Sequence, residues 1–203
     1  MTLDQFKQVW ARAAAKAAAR EKDYSALDAA AGGDGDHGEA IVAATRALAA
    51  AQGADFKSLL GDMVSHLESD VSGSTSSLYG TLFEGMADAV DAGVTELDAP
   101  GIADLFAAGL EELGFATKAK VGDKTFMDAL IPAIEALKAH AAEGEPAMFA
   151  AAAAAAKAGC EATAQMQARY GRAKNLGERS IGPIDAGAAS NADIWACFAE
   201  IES

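Results

Sequence analysis

Only two cysteines, Cys160 and Cys197, occur in the 203 residues. Both lie in stretches of helical pattern. A disulfide framework is therefore excluded, and a buried thiol is the expected role of each. Basic residues are also scarce: 16 Lys and Arg stand against 30 Asp and Glu, for a net charge of −14. Such a chain is a poor partner for nucleic acid or for an anionic membrane surface. An anionic ligand would have to be held through metal ions rather than by a basic patch. Long apolar runs are missing. The stretch 150–156 is short and made of weakly hydrophobic alanine, so no membrane span is expected. The N-terminus has no signal-peptide pattern, and the expected compartment is the cytoplasm. No segment alternates as a strand would, no fixed-period repeat occurs, and no linker divides the chain. What remains is one domain over residues 1–203, with 51% hydrophobic residues to fill its core.

Helical periodicity runs throughout. Residues 2–21 open with Thr2 as a cap and place Leu3, Phe6 and Trp10 on one face. Residues 39–51 and 55–69 follow, then a helix carrying Leu78, Tyr79, Leu82, Phe83, Met86 and Val90. Further helices are predicted over 102–115, over the segment lined by Met127, Leu130, Ile131, Ile134 and Leu137, and over 147–168 and 187–201. Pro132 should bend its helix or loosen its first turn. The alanines of 147–168 predict a helix flanked on most faces, as at the centre of a bundle. The total is eight helices.

Three stretches exceed what connecting loops need. The first, LDAAAGGDGDHGE at 27–39, gathers acids and glycines between two helices. Clustered carboxylate oxygens suit a hard cation such as Mg²⁺, which commonly also binds phosphate. The helix that begins near Gly38 would point its amides and positive dipole end at the same place. The second, DVSGSTSSLYGT at 70–81, crowds hydroxyl residues around Gly73 ahead of a helix. One hydroxyl would suffice for capping; a cluster is also what a phosphate-binding helix start needs. The third, 170–190, carries Arg172, Lys174, Glu178, Arg179 and Asp185 on a loop too long for a plain connection. Lys118, Lys120 and Lys124 make 116–124 the densest basic patch.

Four stretches, GDGDHG at 33–38, SLYGTLF at 77–83, GDKTFMDALIPAIEAL at 122–137 and GRAKNLGERSIGPIDAGAAS at 171–190, carry a family resemblance. In order and spacing the chain resembles the nucleotide-binding L subunit of bacterial dihydroxyacetone kinases, which also forms the C-terminal module of single-chain members. The resemblance implies an all-α, antiparallel barrel of eight amphipathic helices. It also implies ADP or ATP at one end, held through two Mg²⁺ ions by Asp28, Asp34 and Asp36. One departure is visible: two glycines, Gly32 and Gly33, precede the D-x-D where the family has one. That sets Asp28 one residue farther from Asp34.

By the same resemblance, His37 and Gly38 stand at the phosphate-binding helix start, with Glu39 and Ala40 at two further nucleotide positions. Ser74 and Thr75 match a hydroxyl pair that receives phosphate oxygens. Thr117 and Phe126 stand on the base side, where an aromatic can stack. Arg172 matches a phosphate-side arginine, and Asp185, Ala186 and Gly187 match an Asp-Pro-Gly element. Asp34, Asp36, His37 and Arg172 are the expected catalytic set. The place of His37 beside two aspartates favours a hydrogen-bonding or phosphate-contact role over a phosphohistidine.

No residue offers a base or a pocket for a small ketose. The implied ketose sits on a separate K subunit, and the phosphoryl group comes either through a phosphotransferase-system M subunit or from exchanging ATP. A free-standing chain of this size favours the first. Erythrulose is as compatible a substrate as dihydroxyacetone, and self-association is left open. Two other readings are a regulatory protein that reports nucleotide state and a helical metal-dependent hydrolase of phosphate esters.

Overall fold

The computed structural model describes residues 1–201, and these form eight α-helices, with a long connection over 163–185 before the last. They are α1 (Leu3–Ala30), α2 (His37–Ala50), α3 (Phe56–Asp70), α4 (Ser74–Ala89), α5 (Ala99–Ala116), α6 (Met127–His140), α7 (Glu145–Ala162) and α8 (Ala186–Ala199). Among the described residues there is no strand, only an isolated bridge between Thr2 and Glu96. None of these helices is long and apolar enough to cross a membrane. Each helix packs on the next, and α8 packs back on α1, closing a ring. Apart from the last, the connections are ten residues or fewer, and consecutive neighbours run antiparallel. The C-terminal ends of α1, α3, α5 and α7 therefore share one end of the barrel with the N-terminal ends of α2, α4, α6 and α8.

The two ends differ in what fills them. Away from the shared end, the Phe198 ring packs with Phe6, Trp10, Phe106, Phe149 and Trp195 at centroid distances of 5.4 to 6.0 Å. These aromatics are nearly fully buried and plug the barrel. Each such ring removes a large apolar surface from water. Three of the four helix starts here are capped by side chains, and the fourth, α7, begins after Gly144 with none. Thr2 forms a reciprocal box with Gln5, Asp55 one with Ser58, and Asp98 accepts from the Gly101 N–H. A cap of this kind stabilises its helix by about 1 kcal/mol.

At the opposite end, α2, α4 and α6 start with no side-chain cap. The first amides of α2 and α4 are left to other acceptors, while at α6 the Met127 N–H donates to the Thr125 hydroxyl at 3.2 Å. The hydroxyl cluster ahead of α4 therefore does not serve as a cap. The N-cap residue is Gly73, at φ 88°, where a side chain would be strained.

The eight-helix barrel agrees with the sequence expectation, and two boundaries differ. Helix α1 runs on to Ala30 instead of ending near 21. Tyr24 is buried on its inner face, and its hydroxyl donates to Asp193 of α8 at 2.6 Å, so the packing seam outlasts the obvious apolar pattern. Helix α7 stops at Ala162, short of 168, where a tighter turn over Thr163–Gln165 takes over. The Thr163 hydroxyl donates to the Cys160 carbonyl and accepts the Asp185 N–H, ending the helix there. Nor is α7 central. Ala152 and Ala156 are buried, but Ala150 and Ala154 face outward. Its small residues serve close approach on one side: a Cβ on Gly159 would fall 1.9 Å from the Asp128 carbonyl of α6. Pro132 lies within α6 and does not end it. Cys160 and Cys197 are buried free thiols.

Candidate functional site

The uncapped end of the barrel opens into a cavity of about 700 Å³. All three special stretches of the sequence line it, together with the loop before α6.

Asp28 sits in the last turn of α1, and Asp34 and Asp36 lie in the turn that follows. One carboxylate oxygen from each comes within 4.8 Å of the others. The extra glycine is absorbed in the turn. Gly32 takes φ 92°, and Gly33 donates to the Asp28 carbonyl at 2.8 Å. Gly33 then lies so close to the Asp28 carboxylate that an added Cβ would meet Oδ1 at 2.1 Å. Asp28 Oδ2 accepts the Gly35 N–H at 2.7 Å, which holds the carboxylate in the cluster. Asp36 is the N-cap residue of α2, yet its side chain makes no capping bond and remains free for a ligand. Three carboxylates around one point fit a hard divalent cation.

His37 opens α2 and is half-buried. Burial lowers its pKa, against the opposing pull of Asp28 and Asp36. Its Nε2 lies 2.9 Å from the Ser190 hydroxyl, which also donates to the Gly187 carbonyl, tying the start of α2 to α8. Ala40 lines the cavity one turn on. Gly38 and Glu39 are not among the residues that line it. Gly38 faces α1, where a Cβ would fall 2.1 Å from the Glu21 carbonyl, and Glu39 is exposed. Gly38 is therefore accounted for by helix packing.

Ser74 and Thr75 form the first turn of α4 and line the cavity with Ser72 and Gly73. Ser76 turns back to donate to the Leu67 carbonyl at 2.7 Å. Thr117 and Phe126 also line the cavity, and the Tyr79 ring lies 6.1 Å from that of Phe126. Arg172 forms an ion pair with Asp34 and is largely exposed. Asp185, Ala186 and Gly187 begin α8 and also line the cavity. Asp185 caps α8 by accepting the Ala188 N–H at 2.8 Å. Burial pushes its carboxyl up to about 6; the Ala188 N–H and Lys124 pull it down, while Asp128 and Asp28 push it up.

Sequence reasoning missed several residues here. Lys124 was grouped with a surface basic patch but is 2% exposed and lines the cavity. Asp128, fully buried, accepts the Gly122 and Thr125 amides at 2.6 and 2.7 Å and so shapes the loop before α6. Ser190 and Tyr170 also line the cavity. Polar residues within an apolar helical pattern, as Asp128 is, were the available signal. Ile184 of the long loop packs against the core.

A helical ring with a carboxylate cluster, an arginine and uncapped helix starts converging on one cavity defines an all-α domain built to hold an anion through a cation. A family model described as the DAK2 domain matches residues 31–200, and the chain belongs to that family. It is 32% identical over 174 residues to the ADP-binding subunit DhaL of PEP-dependent dihydroxyacetone kinase 1 from Listeria innocua, covering 84% of this chain and 82% of the relative. To the corresponding Escherichia coli subunit it is 34% identical over 164 residues, 78% of each chain. D-erythrulose kinase of Mycolicibacterium smegmatis is 37% identical over 181 residues, 84% of this chain and 30% of that protein.

Among solved structures, the dihydroxyacetone kinase of C. freundii in its native form superposes with a TM-score of 0.77 at 27% identity. It covers 97% of this chain, which spans about a third (34%) of that longer one. The same kinase in complex with AMP-PNP and Mg²⁺ also gives 0.77, at 26% identity, covering 97% of this chain and 33% of that one. The resemblance read from the four stretches is thus borne out.

Proposed function

We propose that this chain is the nucleotide-binding subunit of a short-ketose kinase of the dihydroxyacetone kinase type. It would pass a phosphoryl group from Mg²⁺-bound nucleotide to a ketose held on a separate K subunit. One observation carries the reading: Asp28, Asp34 and Asp36 converge at the mouth of the cavity onto which the uncapped starts of α2 and α4 open. The names of relatives that bind ADP, and the Mg²⁺ and AMP-PNP complex of a structural neighbour, support the choice of ligand.

The carboxylate cluster would hold two Mg²⁺ ions, which when bound supply charge neutralisation for the phosphates. The chain's own groups do the rest. The amides at the start of α4, with Ser74 and Thr75, receive phosphate oxygens. Arg172 is free to leave Asp34 once that carboxylate is otherwise neutralised, and then meets the transferring phosphate. Neutral His37, anchored through Ser190, donates or accepts a hydrogen bond without adding fixed charge. Phe126, Thr117 and Tyr79 wall the base side. No base is poised for a ketose hydroxyl, so the acceptor belongs on a partner.

Exposed apolar side chains support a docking face at this end. Phe115 is 74% exposed at the end of α5, Val121 follows it, and Tyr170 and Ile181 flank the long loop. The PEP- and PTS-dependent names of full-length relatives favour a retained ADP that is rephosphorylated through an M subunit. The erythrulose kinases among the relatives favour the alternative, an ATP-dependent kinase of another short ketose.

Calorimetry of ADP binding with Mg²⁺ and with EDTA tests the reading. Binding should require the metal, and Asp34→Asn or Asp36→Asn should abolish most of it. Equal affinity in EDTA would sink it. Ketose phosphorylation should appear only on adding a K subunit; robust phosphatase activity of the chain alone would favour the hydrolase instead.

A further inference from the structure

Lys124 is the one non-glycine residue at positive φ among the described residues, at 59°. It is 2% exposed. A bulky residue in left-handed backbone and a buried ammonium are both unfavourable, and here they coincide in one side chain lining the cavity. No carboxylate lies within ion-pair distance of the amine. It donates instead to two backbone carbonyls on separate segments: Thr163, just past α7, at 2.6 Å, and Pro183, on the approach to α8. Thr163 in turn accepts the Asp185 N–H on its hydroxyl at 2.9 Å. The residues beside Lys124 grip the same neighbourhood. The Asp123 carbonyl accepts from the Arg169 N–H at 3.1 Å, and Asp128 pins Gly122 and Thr125. Two residues after Lys124 comes Phe126, and a Cβ on Gly187 would lie 3.1 Å from the Phe126 Cβ. The base-side wall and the start of α8 therefore meet directly, and one amine fixes their separation.

We infer that Lys124 is a positioning residue for the nucleotide. Its ammonium, held by two carbonyls, sets Phe126 against the start of α8 and so shapes the subsite without contacting the phosphates. This rests on the nucleotide-binding reading above. Two substitutions separate geometry from charge. Lys124→Met keeps the stem and removes the amine. Lys124→Arg keeps the positive charge, but a planar guanidinium cannot reproduce a compact ammonium between two converging carbonyls.

ADP affinity in Mg²⁺ is measured by calorimetry, and Mn²⁺ binding to the carboxylates by electron paramagnetic resonance. Both variants should weaken ADP by tenfold or more and leave Mn²⁺ affinity within twofold of the wild type, because the carboxylates lie on a different turn. ADP affinity within twofold of the wild type in both variants overturns the inference. So does a loss in Lys124→Met alone, which would make the charge itself the ligand, and so does an equal loss of Mn²⁺, which would mean general damage. Should the methionine variant not fold, the arginine variant carries the test by the same two readouts. A wild-type chain that fails to bind ADP at all would sink the underlying reading instead, and is seen before any variant is made.

Discussion

Gly33→Ala tests the metal cluster through a single methyl group. Gly33 has an ordinary φ, so alanine meets no backbone strain, and the change slightly stiffens the unfolded chain, a gain of about 0.4–1 kcal/mol. The new Cβ, however, would lie 2.1 Å from Asp28 Oδ1 and 2.4 Å from its Cγ and Oδ2. Contacts under about 3 Å are not tolerated, so the Asp28 carboxylate must swing aside. It then loses the bond from the Gly35 N–H, a net effect of about 1 kcal/mol. The two effects nearly cancel, and the melting temperature should move little.

Nucleotide binding should not be spared. Disturbing even outer-shell partners of a metal typically costs roughly 10–100-fold in affinity, and displacing a ligand should cost at least that, or about 1.4–2.7 kcal/mol. Calorimetry with ADP at saturating Mg²⁺, beside a thermal melt of the nucleotide-free protein, measures both. Gly61→Ala is the control, since a Cβ there meets nothing within 4 Å. Wild-type ADP affinity in Gly33→Ala would show that Asp28 is not needed for the metal, and that the second glycine has taken it out of the site.

Two further outcomes are expected. The Asp185 carboxyl titrates near 6, above its ordinary 3.8, so the folded state binds the extra proton between these values and loses stability as pH rises through them. Asp185→Asn keeps a capping oxygen and removes the titration. Its stability relative to wild type should rise by on the order of 2–3 kcal/mol between pH 4 and pH 8, and parallel melting curves for the two proteins across that range would refute this. Arg179 is exposed and does not line the cavity. Arg179→Glu should leave ADP affinity unchanged while slowing turnover with a K subunit, mainly at low salt; a variant that loses ADP but still binds the K subunit normally would show the surfaces are assigned wrongly.

Much of this was legible in the sequence because it is local. Leu59, Met63 and Leu67 recur at helical spacing, and that spacing alone fixes a buried face for α3. Eight such segments, most of them joined by short connections, leave few arrangements other than an antiparallel bundle. The 33–38 stretch announced carboxylates beside a helix start, since its acids and glycines are adjacent in the chain. What the sequence could not determine depended on contacts between distant segments. Spacing alone left Asp28 either in or out of the cluster; the turn at Gly32 and the close approach at Gly33 bring it in. Lys124 read as one of three surface lysines, because nothing nearby in the chain shows that Thr163 and Pro183 will bury it. Gly38 stands at a helix start, and nothing nearby in the chain shows that α1 will press against it. Periodicity and capping act within a few residues, so sequence reports them directly; burial and the pairing of a charge are set by whatever packs across the ring, and only the closed barrel decides them.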